Sequence, residues 1–97
     1  MKLSTAMRRG AALLPEPFRG WYFSYTPAGK RCAACALGCA LIGANWKGGF
    51  ENEDEFLTRR FGCSEALLSD IIRVNDTEGR EAAIAYVERK EREGREQ

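Results

Sequence analysis

Apolar positions recur at two different periods along this chain, and the change of period separates helical from extended stretches. Leu3, Met7, Ala11 and Leu14 stand at helical spacing, with Ser4 or Thr5 as candidate N-cap and Pro15 and Pro17 closing the stretch. This predicts a short amphipathic first helix with Arg8 and Arg9 toward solvent. Gly10 in its middle is expected to weaken it by about 1 kcal/mol relative to Ala. From Gly20 the rhythm shifts: Trp21, Phe23 and Tyr25 alternate with Tyr22, Ser24 and Thr26, the period-two pattern of a half-buried strand. A lone strand leaves its backbone groups unpaired. It needs a second short extended piece, another copy of the chain, or an irregular course over the helices.

Residues 27–31, Pro-Ala-Gly-Lys-Arg, read as a turn, and residues 32–44 are then apolar on every side. A helix that is apolar all round is buried all round, which places 32–44 at the centre of the domain, with small side chains that let neighbours approach. Residues 45–49 form a loop carrying paired glycines. A helix over 51–61 follows, with Phe56, Leu57 and Phe61 on one side and acids at its start, where the helix dipole favours them. Gly62 ends it. Ser64 caps the next, whose stripe is Leu67, Leu68, Ile71, Ile72 and Val74. Asn75-Asp76-Thr77 is expected to break that helix and cap a last one with Ala83, Ile84 and Val87 on its apolar face. Beyond Val87 no apolar residue remains, so the tail should fray or continue only as a charged, solvated surface, and should be dispensable for folding. The expected fold is mainly α, a small compact bundle of four to five short helices with room for one short extended aromatic segment. Its organisation is a single helical domain over 1–87 and a charged C-terminal tail over 88–97.

Length and charge narrow the classes. The 97 residues suit one small domain. With 15 Lys and Arg against 14 Asp and Glu, the chain lacks the positive field that drives non-specific nucleic-acid binding. The longest uncharged apolar run, over 32–44, falls short of the ~20 residues that cross a bilayer. Arg8 and Arg9 interrupt what would be the apolar core of an export signal. A cytoplasmic protein without a membrane partner is expected, and in that compartment cysteines are free or metal-bound.

The candidate chemistry is concentrated in four thiols. Cys32, Cys35 and Cys39 lie at offsets of three and four, Cys63 is distant, and the chain has no histidine. The four have the ligand count of a structural zinc or iron–sulfur site. On one helix, however, the first three would spread over about two turns of ~5.4 Å each, too far apart to converge on one ion. Core packing is the preferred reading, and no cofactor is expected. On that reading Cys35→Ser should cost about 1–3 kcal/mol by burying a hydroxyl without a partner.

Residues 52–74 have the helix–turn–helix rhythm of a small DNA-binding regulator, with Arg59, Arg60 and Arg73 as candidate contacts. Glu65 and Asp70 on the outward face would meet phosphates badly, so nucleic acid is disfavoured. Trp21, Tyr22, Phe23 and Tyr25, flanked by Arg19, Lys30 and Arg31, could stack on bases but serve a small domain better as a lid on its core. Any of them left exposed would mark a protein-binding patch. No catalytic constellation stands out.

Three stretches carry a resemblance: KLSTAMRRGAALLPEPFRGWYF at 2–23, CALGCALIGA at 35–44 and IIRVND at 71–76. Together the chain resembles a group of short bacterial and prophage-encoded proteins of unassigned function, with a Cys-Ala-Leu-Gly helix and an Asn-Asp step before a last amphipathic helix. The resemblance implies no catalytic residues. This chain departs from the group's pattern in Cys32, Cys39 and Cys63. The expected function is a non-enzymatic protein-interaction domain, of prophage origin by that resemblance, acting on an unidentified protein partner or as a homodimer. The alternatives are the DNA-binding regulator and a cysteine-ligated metalloprotein.

Overall fold

The first helix starts before either of its candidate caps. α1 spans Leu3–Leu13, with Lys2 at the N-cap position and no side chain of its own first turn capping it. Ser4 and Thr5 are therefore inside the helix, and Ser4 is buried. The computed structural model describes residues 1–20, 22–48 and 51–95. Trp21, part of the 45–49 loop and the last two residues lie outside them.

The aromatic stretch does become a strand, and its partner comes from residues assigned above to a turn and a helix. β1 (Phe23–Tyr25) and β2 (Arg31–Ala34) pair antiparallel, with Phe23 opposite Ala34 and Tyr25 opposite Arg31. The register slips between Ser24 and Tyr25, which leaves Cys32 as the extra, bulged residue. Gly29, with φ of 84°, takes the left-handed conformation that closes the turn, and its N–H donates to the Thr26 carbonyl at 2.8 Å. The chain before the hairpin adds a parallel bridge: Phe18 N–H donates to the Ala34 carbonyl and Ala34 N–H to that of Glu16. The fold is thus mainly α with a small two-stranded sheet, not a purely helical bundle.

Because 31–34 is extended, the central helix is shorter than its apolar run. α2 spans Ala36–Gly43, and only Cys39 of the four cysteines lies within it. All its residues but Ile42 are buried, as expected of a helix apolar all round, and α1, α3, α4 and α5 all pack on it. Its contact with α1 is close enough to exclude side chains. A Cβ placed on Gly10 would overlap the carbonyl of Cys39, and one on Gly43 the carbonyl of Ala6. Gly10 is therefore a contact point and not merely a weak helix former.

α3 (Glu53–Phe61) is capped by Asn52, whose Oδ1 accepts from Glu55 N–H at 2.8 Å, and ends at Gly62 with φ of 70°. α4 (Glu65–Glu78) is capped by Ser64, whose hydroxyl accepts from Leu67 N–H at 3.1 Å. Residues 75–77 do not break it. Asn75 points into the core, where its Oδ1 accepts from Ala36 N–H at 3.0 Å and its Nδ2 donates to the Phe18 carbonyl at 2.8 Å. The break comes at Gly79, φ 103°, before α5 (Arg80–Arg95).

Charged residues past Val87 continue α5 and reach back to α1. Arg8 pairs with Glu88 at 2.9 Å and with Glu81, which raises the Arg8 pKa and lowers that of Glu88. The Glu91 carboxylate accepts from Ser4 N–H at 3.1 Å and from the Ser4 hydroxyl. It supplies from α5 the cap that α1 lacks locally. Truncation after Val87 should accordingly lower stability by about 1–2 kcal/mol, the loss of one cap and one partly exposed ion pair. An unchanged denaturation midpoint would return this stretch to the role of a solvated surface.

Candidate functional site

Where the start of α1, the α3–α4 turn and the C-terminal half of α5 meet, they leave a groove of about 370 Å³. Its apolar wall is formed by Leu3, Phe61, Leu67 and Val87, with the buried Cys63 among them. Lys2, Arg60 and Lys90 supply positive charge around it, and Glu91 is its one carboxylate. That carboxylate is engaged by Ser4. Arg60 lies 5.3 Å from the Phe61 ring centre, and Lys90 lies 5.6 Å from the Tyr86 ring centre with a long, 4.0 Å approach to Glu93. The site therefore joins an apolar surface to an excess of cations, three against one carboxylate. A second hollow, of about 420 Å³, lies beside Pro15 and Arg80, and there Arg80 donates to the carbonyls of Leu14, Pro15, Glu16 and Ala34 while Glu81 pairs with Arg8.

The cysteines do not share a helix face. Cys32 is exposed on β2, with its thiol 3.5 Å from the Ser24 carbonyl. Cys35 is the N-cap of α2, and its sulfur accepts from Gly38 N–H at 3.4 Å. Cys39 is fully buried, 3.5 Å from the Arg80 guanidinium, and Cys63 sits in the α3–α4 turn. Among the described residues no three His, Cys, Asp or Glu side chains gather as a metal-binding group. Burial pushes the Cys39 thiol up to about 11 and raises those of Cys35 and Cys63, the latter also through Glu91. A raised pKa suppresses the thiolate and hence reactivity. With a thiol-counting reagent at about pH 8, the folded protein should titrate as one cysteine and the denatured protein as four; more than one rapid thiol in the folded protein would contradict this burial pattern.

The position of Cys35 alters the expectation for its serine variant. A hydroxyl there keeps the Gly38 N–H as donor, at a position where serine is among the favoured residues. Cys35→Ser should change stability by less than about 1 kcal/mol, not the 1–3 kcal/mol loss that a partnerless hydroxyl implies. Comparing denaturation midpoints of the variant and parent decides between these values.

The candidate nucleic-acid contacts are dispersed and largely neutralised. Arg59 pairs with Glu51 at 2.6 Å, which lowers the Glu51 pKa, and Arg73 pairs with Asp70 at 3.3 Å. Only Arg60 turns toward the groove. Of the aromatic segment, Phe23 is buried and Tyr22 half-buried, as a lid would be, whereas Tyr25 is 55 % exposed. Phe23 and Tyr25 meet edge to face at 6.2 Å, and the Arg31 guanidinium lies 4.2 Å from the Phe23 ring centre. Phe23 and Tyr25 belong to a strand of 3 residues, β1. Trp21 lies outside the described residues.

Comparison of this chain with protein families, with curated proteins and with solved structures finds no match.

Sequence reasoning missed the groove because its residues come from four separate stretches, and it treated Lys90 and Glu91 as tail. One signal was available. Phe61, Leu67 and Val87 were all placed on apolar faces, yet Phe61 and Leu67 remain only partly covered.

Proposed function

We propose that this chain is a non-enzymatic protein-interaction module whose contact surface is the groove between α1, the α3–α4 turn and α5. The observation that carries the reading is the juxtaposition of a partly covered apolar wall, Phe61 and Leu67, with the cations Arg60 and Lys90. Partly exposed apolar surface with a polar rim is the anatomy of a docking site. Burial raises the Cys63 thiol, so it stands in the groove as a neutral, apolar group. The test is selection from a random displayed-peptide library at physiological salt, followed by competition with a Leu67→Arg variant. The reading expects binders that Leu67→Arg no longer retains while its denaturation midpoint stays near the parent's. It fails if no binder emerges, or if the variant holds the same peptides equally well.

A further inference from the structure

The charge around the groove narrows its occupant. The wall formed by Leu3, Phe61, Leu67 and Val87 is apolar, and a space of about 370 Å³ admits one large side chain with part of its backbone. Three cations, Lys2, Arg60 and Lys90, face that space against the single carboxylate of Glu91, and Glu91 is held by the Ser4 N–H and hydroxyl at the start of α1. Arg60 has no carboxylate within 4.0 Å among the described residues, and the Lys90 to Glu93 approach is at that limit. With three cations in the lining against one carboxylate, and Lys90 paired only at 4.0 Å with Glu93, an incoming carboxylate meets a net positive charge. A basic segment meets repulsion. Arg60 and Lys90 are exposed and stand on different helices, α3 and α5, so they belong to the groove's solvated rim and not to its apolar wall.

We infer that the groove binds a peptide segment that presents one large apolar side chain between acidic residues. This rests on the groove being the contact surface, and it adds the sign and placement of the partner's charges.

The test uses two synthetic peptides, one with a central phenylalanine flanked by aspartates and a twin with lysines in their place. Each is titrated into the full chain while backbone amide signals are followed by NMR. The aspartate peptide should shift the signals of Leu3, Phe61, Leu67 and Val87, bind at least about tenfold more tightly than its twin, and weaken as salt rises. The double variant Arg60→Glu with Lys90→Glu should reverse the preference, binding the lysine twin over the aspartate peptide. This reversal separates charge recognition from damage to the fold. If both peptides shift the groove equally, or the lysine twin binds the parent better, the charge inference is overturned while the groove remains the contact surface. If neither peptide moves these signals, the inference fails, and the display selection decides separately whether the groove binds anything. Shifts produced by decanoate but by neither peptide would assign the groove to a small amphiphile and also overturn it.

Discussion

Gly10→Ala should destabilise the protein by about 3 kcal/mol or more, although alanine is the better helix former. The added methyl has no room: at Gly10 it overlaps the Cys39 carbonyl, a backbone atom of the central helix that cannot rotate away. Gly43 makes the reciprocal contact, with the Ala6 carbonyl in its path, so α1 and α2 touch backbone to backbone at two points. Either substitution must push the helices apart and loosen the packing of Met7 and Leu41, both fully buried. Gly94→Ala is the control, since it makes the same chemical change in α5 with nothing within 4 Å of the new Cβ. There the propensity gain should prevail, giving a small stabilisation of up to about 1 kcal/mol. Denaturation midpoints of the three variants decide the matter, and a Gly10→Ala protein as stable as its parent would refute the close helix contact.

This pair of glycines shows where the sequence was legible and where it was not. Periodicity identified the helices that bury an apolar stripe, because Phe56, Leu57, Leu68 and Ile71 can satisfy a 3.6-residue repeat in only one way. Local caps were equally readable: Ser64 and Gly62 act within one turn of themselves. The contacts that organise the molecule are not local. Gly10 looks like a weak point in α1 until Cys39 is placed opposite it, and the apolar run over 32–44 conceals a strand because Ala and Cys suit either conformation. The extended state prevails at Arg31–Ala34 because Phe23–Tyr25 and the 16–18 segment both need hydrogen-bond partners there. The groove was hidden for the same reason. Its wall joins residues that are distant along the chain, and Glu91, its one carboxylate, lies in a stretch whose composition reads as solvated tail.

The most consequential misreading concerns Asn75, and it yields the second large effect. In sequence, Asn-Asp after a five-residue apolar stripe signals a helix end. In the structure Asn75 is 1 % exposed and joins three segments: its own helix, the start of α2 through Ala36 N–H, and the chain before the hairpin through the Phe18 carbonyl. Ala36 is the first residue of α2, so Asn75 satisfies one of the orphan donors of the buried central helix. Asn75→Leu, which keeps the branched shape but is larger and apolar, should cost about 2–5 kcal/mol, because Ala36 N–H and the Phe18 carbonyl lose their partners and the bulkier side chain must be fitted into the core.

Asn75→Asp adds a diagnostic pH dependence. An ionised carboxylate can still accept from Ala36 N–H, but it cannot donate to the Phe18 carbonyl, and its charge is buried. Only the protonated acid reproduces both hydrogen bonds. Folding should therefore raise the pKa of the introduced Asp above its unfolded value of about 3.9. A group whose pKa is raised on folding contributes stability that is fully present below its unfolded pKa and is lost as pH climbs through its folded pKa. The stability gap between Asn75→Asp and the parent should thus be wide at neutral pH and narrow below about pH 4, when each is measured by urea denaturation in the same buffers. A gap that does not change with pH would mean that Asn75 is not the two-way hydrogen-bond link between α4, α2 and the segment leading into the hairpin.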